Sequence, residues 1–413
     1  MDSKKKLLET IRKELRPCEE AVKEAQTMLK TIKKALKGIQ AEPVLGGSIA
    51  KGTFLKNDYD ADIFVVFNKK YAGQDISALL EKALKTAKIK YEKVHGSRDY
   101  FQVKEKILYE IVPVLEVKKN EVPENVADMS PLHVEYFLKK AKNNKKIRDD
   151  IRLTKAFMKS AGVYGAESYI KGFSGHVVDL LILNYGSFEE LTKAAAKWKK
   201  RTIIDIEKKS KHPLITLNAS KIKGKLIVID PVQPERNSAA ALSDENFEKF
   251  VKHCKSFNKK PLKKYFEQKT VEQKILEIKK RNKTIHIIEL IPIKGKKDVS
   301  GSKALKIKEY LEAQLKENDF FVKESEWEYT ENKATIIIVP EKSSIDKTKN
   351  IKGPPSKMKR HAEAFKKKHK NAVEKDGFYS AVITRKFTDS KKFLENKLKD
   401  EYVKERCVTS KIF

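Results

Sequence analysis

Cysteine is scarce in this sequence. The three present, Cys18, Cys254 and Cys407, stand far apart and show no metal-ligand spacing. That pattern predicts a reduced, intracellular setting, taken as the cytoplasm. The eight histidines are also scattered, which argues against a zinc site. No run of about 18 apolar residues occurs, so no transmembrane helix is expected. The N-terminus is rich in lysine and amphipathic, without the apolar centre of a signal peptide. No internal repeat is present. Acidic charge is in deficit: 57 Asp and Glu against 90 Lys and Arg leave a net charge of +33. A basic excess of this size favours a polyanionic partner, RNA or DNA first. Only eleven of the 90 cations are Arg, a lysine bias that genome composition can also produce.

At 413 residues the chain can form two to four domains, and its 40% apolar content suits a globular protein. The most informative stretch is 43–67, PVLGGSIAKGTFLKNDYDADIFVVF. It reads as a short strand, a Gly46-Gly47-Ser48 turn, a short helical or irregular segment and a strong strand over 60–67. Alternation on that strand sends Asp60 and Asp62 to one face and Ala61 and Ile63 to the other. Two carboxylates about 7 Å apart on one face form a hard, oxygen-rich site suited to Mg²⁺. The glycine turn lets backbone N–H groups approach an anion closely. Phosphate beside carboxylate-bound metal is the combination used in phosphoryl and nucleotidyl transfer. A third carboxylate, Glu110, lies inside the apolar strand ILYEIVPVLEV over 107–117, where it is costly unless paired or bound to metal.

The remaining chain is read as follows. Helical periodicity runs over 3–37, broken at Pro17 and stopped at Gly38. A helix over 75–87 and strands over 90–94, 100–103 and 107–117 complete a mixed unit. Helices are expected over 132–143, 147–161 and 174–185, with Ser174 as an N-cap. A strand over 225–229 leads to Asp230-Pro231-Val232, and a helix follows over 244–255. From residue 283 the order is strand (284–293), helix (302–318), strand (320–330) and strand (335–339), an arrangement similar to a ferredoxin-like RNA-binding module. Residues 341–375 hold twelve Lys or Arg against four Asp or Glu, and read as a solvated loop or helical hairpin able to follow an RNA backbone. A strand over 378–385 and one last helix over 389–405 place that basic stretch inside the final domain.

Gly47-Ser48, eleven residues, then Asp60-Ala61-Asp62 and an apolar strand resemble the signature of the DNA polymerase β-like nucleotidyltransferases. Over nearly its whole length the chain resembles the archaeal (class I) CCA-adding enzymes, tRNA nucleotidyltransferases. The matching pieces are GGSIAKGTFLKNDYDADIFVVF, ILYEIVPV, RLTKAFMKSAGVYGAESYIKGFSGHVVDLLILNYGSF, RTIIDI, DPVQPERNSAAAL, the GPP stretch and RKFT. The resemblance implies an α+β multidomain fold: a catalytic polymerase β-like head with a mixed sheet (1–130), a helical neck for nucleotide recognition (131–265), a tRNA-binding α/β body (266–340 and 376–413) and an inserted basic tail (341–375). It implies template-independent addition of C, C and A to tRNA from CTP and ATP. Asp60, Asp62 and Glu110 would be the catalytic, Mg²⁺-binding residues. Gly47, Ser48, Lys51, Lys155 and Tyr164 would hold the triphosphate and sugar, with Ser130 and His133 nearby. Arg236, supported by Asp230, would read the base edge. A homodimer is a further implication.

Two positions depart from the family pattern, which usually has Asp at the place of Glu110 and often Arg at that of Lys51. Both keep their charge, although Lys loses the bidentate fork. The competing readings are a poly(A) polymerase or oligoadenylate synthetase-like enzyme with the same carboxylates, and a catalytically inactive RNA-binding protein. An intact acidic triad argues against the latter, because carboxylates without a task repel each other.

Overall fold

Pro17 cannot sit in a helix interior, and it separates two amphipathic helices, α1 (Asp2–Leu15) and α2 (Glu20–Ala35). The computed structural model describes residues 2–56, 59–118, 121–142, 144–199, 201–208, 213–217 and 219–413. Asn57 and Asp58 of the glycine–carboxylate motif, and the expected helix end at Asn143, lie outside them. The chain divides into two units, 1–268 and 269–413.

In the first unit, α2 buries Ala21, Ala25, Met28 and Ile32 against a five-stranded sheet. Its strands are β1 (Ala41–Leu45), β2 (Ala61–Phe67), β3 (Glu92–Val94), β4 (Tyr100–Lys104) and β5 (Leu108–Leu115), in the order β1-β2-β5-β4-β3. β2 and β5 pair in parallel, and the other neighbours are antiparallel. A short helix, α3 (Gly47–Lys51), joins β1 to β2, and α4 (Ile76–Thr86) follows β2. Alternation along β2 is strict: Ala61, Ile63, Val65 and Phe67 are wholly buried on the α2 side. The opposite face carries Asp62 at its start, then Phe64, which packs on Val134.

Helices make up the rest of this unit: α5 (Ser130–Ala141), α6 (Lys145–Ser160), α7 (Gly175–Tyr185), α8 (Phe188–Ala195), the short α9 (Pro213–Thr216) and α10 (Asp244–Lys259). A parallel pair, β6 (Thr202–Ile204) and β7 (Leu226–Val228), lies beside them. Phe157 centres their core, its ring 5.2 Å from Phe188 and 5.3 Å from Phe257. Leu8 and Ile11 of α1 join this helical core rather than the sheet. Arg12 of α1 is buried with them, 2.7 Å from Asp150 of α6. The first helix, expected with the head over 1–130, therefore packs with helices drawn from 131–265.

The second unit begins with α11 (Val271–Arg281). It continues through β8 (His286–Pro292), α12 (Lys297–Glu317), β9 (Val322–Tyr329) and β10 (Ala334–Pro340). Next come β11 (Thr348–Pro355), α13 (Lys359–Lys368), β12 (Val373–Lys375) and β13 (Phe378–Thr384). The unit ends with α14 (Ser390–Lys397), α15 (Glu401–Lys404) and β14 (Cys407–Ile412). Four strands form an antiparallel sheet in the order β14-β8-β10-β9, the ferredoxin-like β-α-β-β-α-β arrangement. Three expectations are corrected here. The basic stretch is neither loop nor helical hairpin: it contributes β11, α13 and β12. β13, assigned to the body, pairs with β11 and β12 in a separate three-stranded sheet. The single closing helix is two short ones followed by a strand, with Val403 of α15 buried in the core of the four-stranded sheet.

Candidate active site

Parallel pairing sets Asp62 of β2 directly beside Glu110 of β5. Asp60 lies exposed just ahead of β2. Burial first, then the charges of Glu110 and Asp60, push the Asp62 carboxyl up to about 6, with Lys51 partly offsetting them. Burial and the Asp60 charge also raise Glu110, against a hydrogen bond from Gln102. The Gln102 amide Nε2 donates to Glu110 Oε1 at 2.8 Å from the facing position on β4. The structure thus brings Asp60, Asp62 and Glu110 into one mutually repelling group. Hard, negatively charged oxygen donors of this kind fit a divalent cation such as Mg²⁺.

The glycine turn lies against Asp62 of this group. The Gly46 N–H donates to the Asp62 carbonyl at 2.8 Å. Gly47 adopts φ +52°, and a side chain there would strike the Asp62 carboxylate. Ser48 and Lys51 follow on α3. Arg148 Nε donates to the Lys51 carbonyl at 2.9 Å, and Arg152 bonds the Gly52 carbonyl, so α6 fixes the loop that leaves α3.

The expected phosphate ligands have partners within the protein. Lys51 Nζ meets Asp179 Oδ2 of α7 at 2.8 Å, both side chains nearly buried. Lys155 Nζ donates to the Thr53 carbonyl at 2.9 Å. Burial lowers the Lys155 ammonium to about 8, with Asp179 opposing the shift and neighbouring cations adding to it. Tyr164 pairs with Phe173 by a backbone bridge, and its hydroxyl lies where a Gly175 side chain would come within 3.2 Å, at the start of α7. Ser130 opens α5, which carries His133 one turn later.

Ninety-seven residues separate His133 from Asp230, yet His133 Nε2 lies 3.0 Å from both carboxylate oxygens. His176 Nε2 approaches Asp230 Oδ2 at 3.2 Å, the Ser238 hydroxyl donates at 3.0 Å, and the Val232 and Gln233 N–H groups donate at 3.0 and 3.2 Å. Arg236 Nη1 stands 3.6 Å away. Burial alone would raise the Asp230 carboxyl, but hydrogen bonds from His133 and His176 hold it well below the usual carboxylate range. Burial pushes the His176 imidazole below its ordinary value, against the hydrogen bond to Asp230.

Histidines scattered in sequence are therefore not all scattered in space. One nitrogen each from His133 and His176 and an Asp230 oxygen lie within 4.8 Å of one another, a donor set that could hold a borderline metal ion. The hydrogen bonds just described also account for the three groups without one. Sequence reasoning missed Gln102, Arg148, Arg152, His176 and Asp179. His176 and Asp179 stand in the quoted GFSGHVVDLLI, where their spacing on α7 was the available signal.

Residues 27–152 match the family described as nucleotidyltransferase domain. Residues 149–267 match tRNA nucleotidyltransferase, second domain, and residues 302–406 match CCA-adding enzyme, C-terminal domain. The CCA-adding enzyme of Nanoarchaeum equitans is 36% identical over 350 residues, spanning 83% of this chain and 84% of the relative. That of Methanosarcina mazei is 31% identical over 374 residues, spanning 85% and 78%. Among solved structures, a cytoplasmic RNA terminal U-transferase has a TM-score of 0.51 at 15% identity, covering 66% of this chain and 100% of its own. The Cid1 poly(U) polymerase has a TM-score of 0.51 at 15% identity, covering 65% and 99%. At that identity both report the polymerase β-like fold alone. With relatives of this identity across more than four fifths of its length, the chain belongs to the family of CCA-adding enzymes.

Proposed function

We propose that this chain adds C, C and A to the 3′ end of tRNA from CTP and ATP, without a nucleic-acid template. The observation that carries the reading is the parallel β2–β5 pairing, which sets Asp62 beside Glu110 under the Gly47 turn. Asp60, Asp62 and Glu110 would hold Mg²⁺, which when bound would neutralise phosphate charge and lower the pKa of the attacking hydroxyl. Gln102 keeps Glu110 oriented toward the shared site. Ser48, Lys51, Lys155 and Tyr164 would hold the triphosphate and sugar beside the turn. Asp230, fixed by His133, His176 and Ser238, would support Arg236 against the base edge.

In the second unit, Lys352 and Lys366 lie 3.8 and 4.7 Å from the ring centroids of Phe378 and Tyr379. Cations beside aromatic rings on a small basic sheet suit a nucleic-acid backbone and its bases. On this reading residues 1–130 are the head, apart from α1, which packs with the helices of the neck, 131–265, and the second unit is the tRNA-binding body and tail. The reading includes action in the cytoplasm and assembly as a homodimer, the latter to be tested by sedimentation.

The test is incubation with Mg²⁺, CTP, ATP and a tRNA transcript lacking CCA, followed by sequencing of the 3′ ends. Ends that read CCA and stop there support the proposal. Long A tails move the protein to a polymerase role. Bound tRNA without extension leaves a binding protein.

A further inference from the structure

Lys51 stands between two acidic neighbours. On one side is Asp62, whose carboxyl feels the Lys51 charge; on the other is Asp179, 2.8 Å away. The Lys51–Asp179 pair is buried, its side chains 9% and 4% exposed. It is also incomplete. Among the described residues Asp179 Oδ1 is buried without a hydrogen-bond partner, so within them the carboxylate uses one oxygen only. Nearby Asp149 differs, meeting Arg16 at 2.6 Å and Arg152 at 2.5 Å.

A buried carboxylate held at one point has lost water at both oxygens and regained contact at one. Lysine's ammonium is a single charge on a flexible four-carbon stem, able to turn to another acceptor without the fork constraint of Arg. Lys155 adds a second buried cation whose charge is coupled to the same Asp179. Lys51 and Lys155 thus share the charge of Asp179, while Asp62 adds a second carboxylate beside Lys51. An arriving polyphosphate offers the Lys51 ammonium several oxygens in place of one, while Asp179 keeps its influence on the charge of Lys155.

We infer that Asp179 is the resting counter-ion of Lys51, and that a nucleoside triphosphate must draw Lys51 off it to bind. The inference rests on the nucleotide site proposed above. Asp179 is then a positioning residue that lowers triphosphate affinity by holding Lys51 in its closed arrangement. Freed of the triphosphate, Lys51 returns to Asp179.

The test is equilibrium binding of a non-hydrolysable CTP analogue, with Mg²⁺, to the full chain and to Asp179→Asn, Lys51→Met and the double variant. If Lys51 is free about a tenth of the time, Asp179→Asn tightens binding about 10-fold. The gain is absent when Lys51 is already Met. Binding by Asp179→Asn that equals or falls below that of the unaltered chain overturns the inference. A purely structural role for Asp179 would not raise affinity in a Lys51-dependent way. Should Asp179→Asn fail to fold, the unaltered chain is crystallised with the analogue. Lys51 Nζ more than about 4 Å from Asp179 supports the inference, and an intact contact overturns it. An unaltered chain that binds no analogue overturns the nucleotide site itself, and the inference with it.

Discussion

A side-chain carbon on Gly47 would stand 1.6 Å from Oδ2 of Asp62. No L-residue with a Cβ fits without moving that carboxylate or the turn. Gly47→Ala is expected to cut kcat for CMP addition by about 100-fold, the usual scale for a displacement near 1 Å at reacting groups. Backbone strain at φ +52° adds about 1 kcal/mol of destabilisation, read by thermal unfolding.

Asp62→Ala removes a carboxylate that shares its space with Glu110 and Asp60. Transfer is expected to fall at least about 1000-fold, while tRNA binding stays within a few-fold. Mg²⁺ should raise the Tm of the unaltered chain and not that of the variant. Retained activity with lost tRNA binding would sink the assignment.

Burial lowers the Lys155 ammonium from 10.5 to about 8. The folded state therefore resists a proton that the unfolded chain accepts, and stability is lost as pH falls from 10.5 toward 8. Lys155→Met is expected to be more stable than the unaltered chain at pH 7, by about 1–2 kcal/mol after loss of the bond to Thr53. The difference should vanish near pH 10. Triphosphate binding should weaken about 10-fold in the same variant. Denaturant titration at the two pH values and an affinity measurement check all three.

His176 faces Asp230, His133 and Lys51. Its folded value lies below the ordinary imidazole value of 6.5, so the stability it contributes is present above pH 6.5 and declines below it. His176→Asn should unfold with a shallower pH dependence between pH 7 and 5. An unchanged slope would assign the acid sensitivity elsewhere.

Neutralising Lys352, Lys366, Lys367 and Lys368 together should reduce the slope of log tRNA affinity against log salt by about 3, if each meets a phosphate. A slope unchanged by the quadruple variant would remove the inserted sheet from the RNA path.

The fold around Asp62 was legible because strand alternation is local: Ala61 and Ile63 in, Asp62 out. Gln102 was not, because nothing along the chain announces that β4 will place it opposite Glu110. Asp179 and His176 were hidden by distance, their partners Lys51 and His133 being 128 and 43 residues away. The last helix was read too long because lysines and glutamates cover it evenly, while its break before Val403 and the strand at Cys407 depend on burial against a sheet. The basic stretch reads as a loop or helical hairpin for the same reason. Its strands carry lysine at positions that face solvent, and its sheet buries few apolar side chains.

The inserted sheet hangs from a narrow stem. Ile345 N–H meets the Thr388 carbonyl at 2.9 Å, Ser390 N–H meets the Ser343 carbonyl at 2.9 Å, and Asp319 holds Lys349 and Arg385 at 2.6 and 2.5 Å. The chain leaves the four-stranded sheet and returns to it at adjacent points. Everything beyond the stem is thus a detachable arm, since loops whose ends already meet tolerate changes in length cheaply. Trimming or grafting between residues 350 and 383 should alter how far the protein reaches along its ligand, while β8, β10 and β14 keep their register.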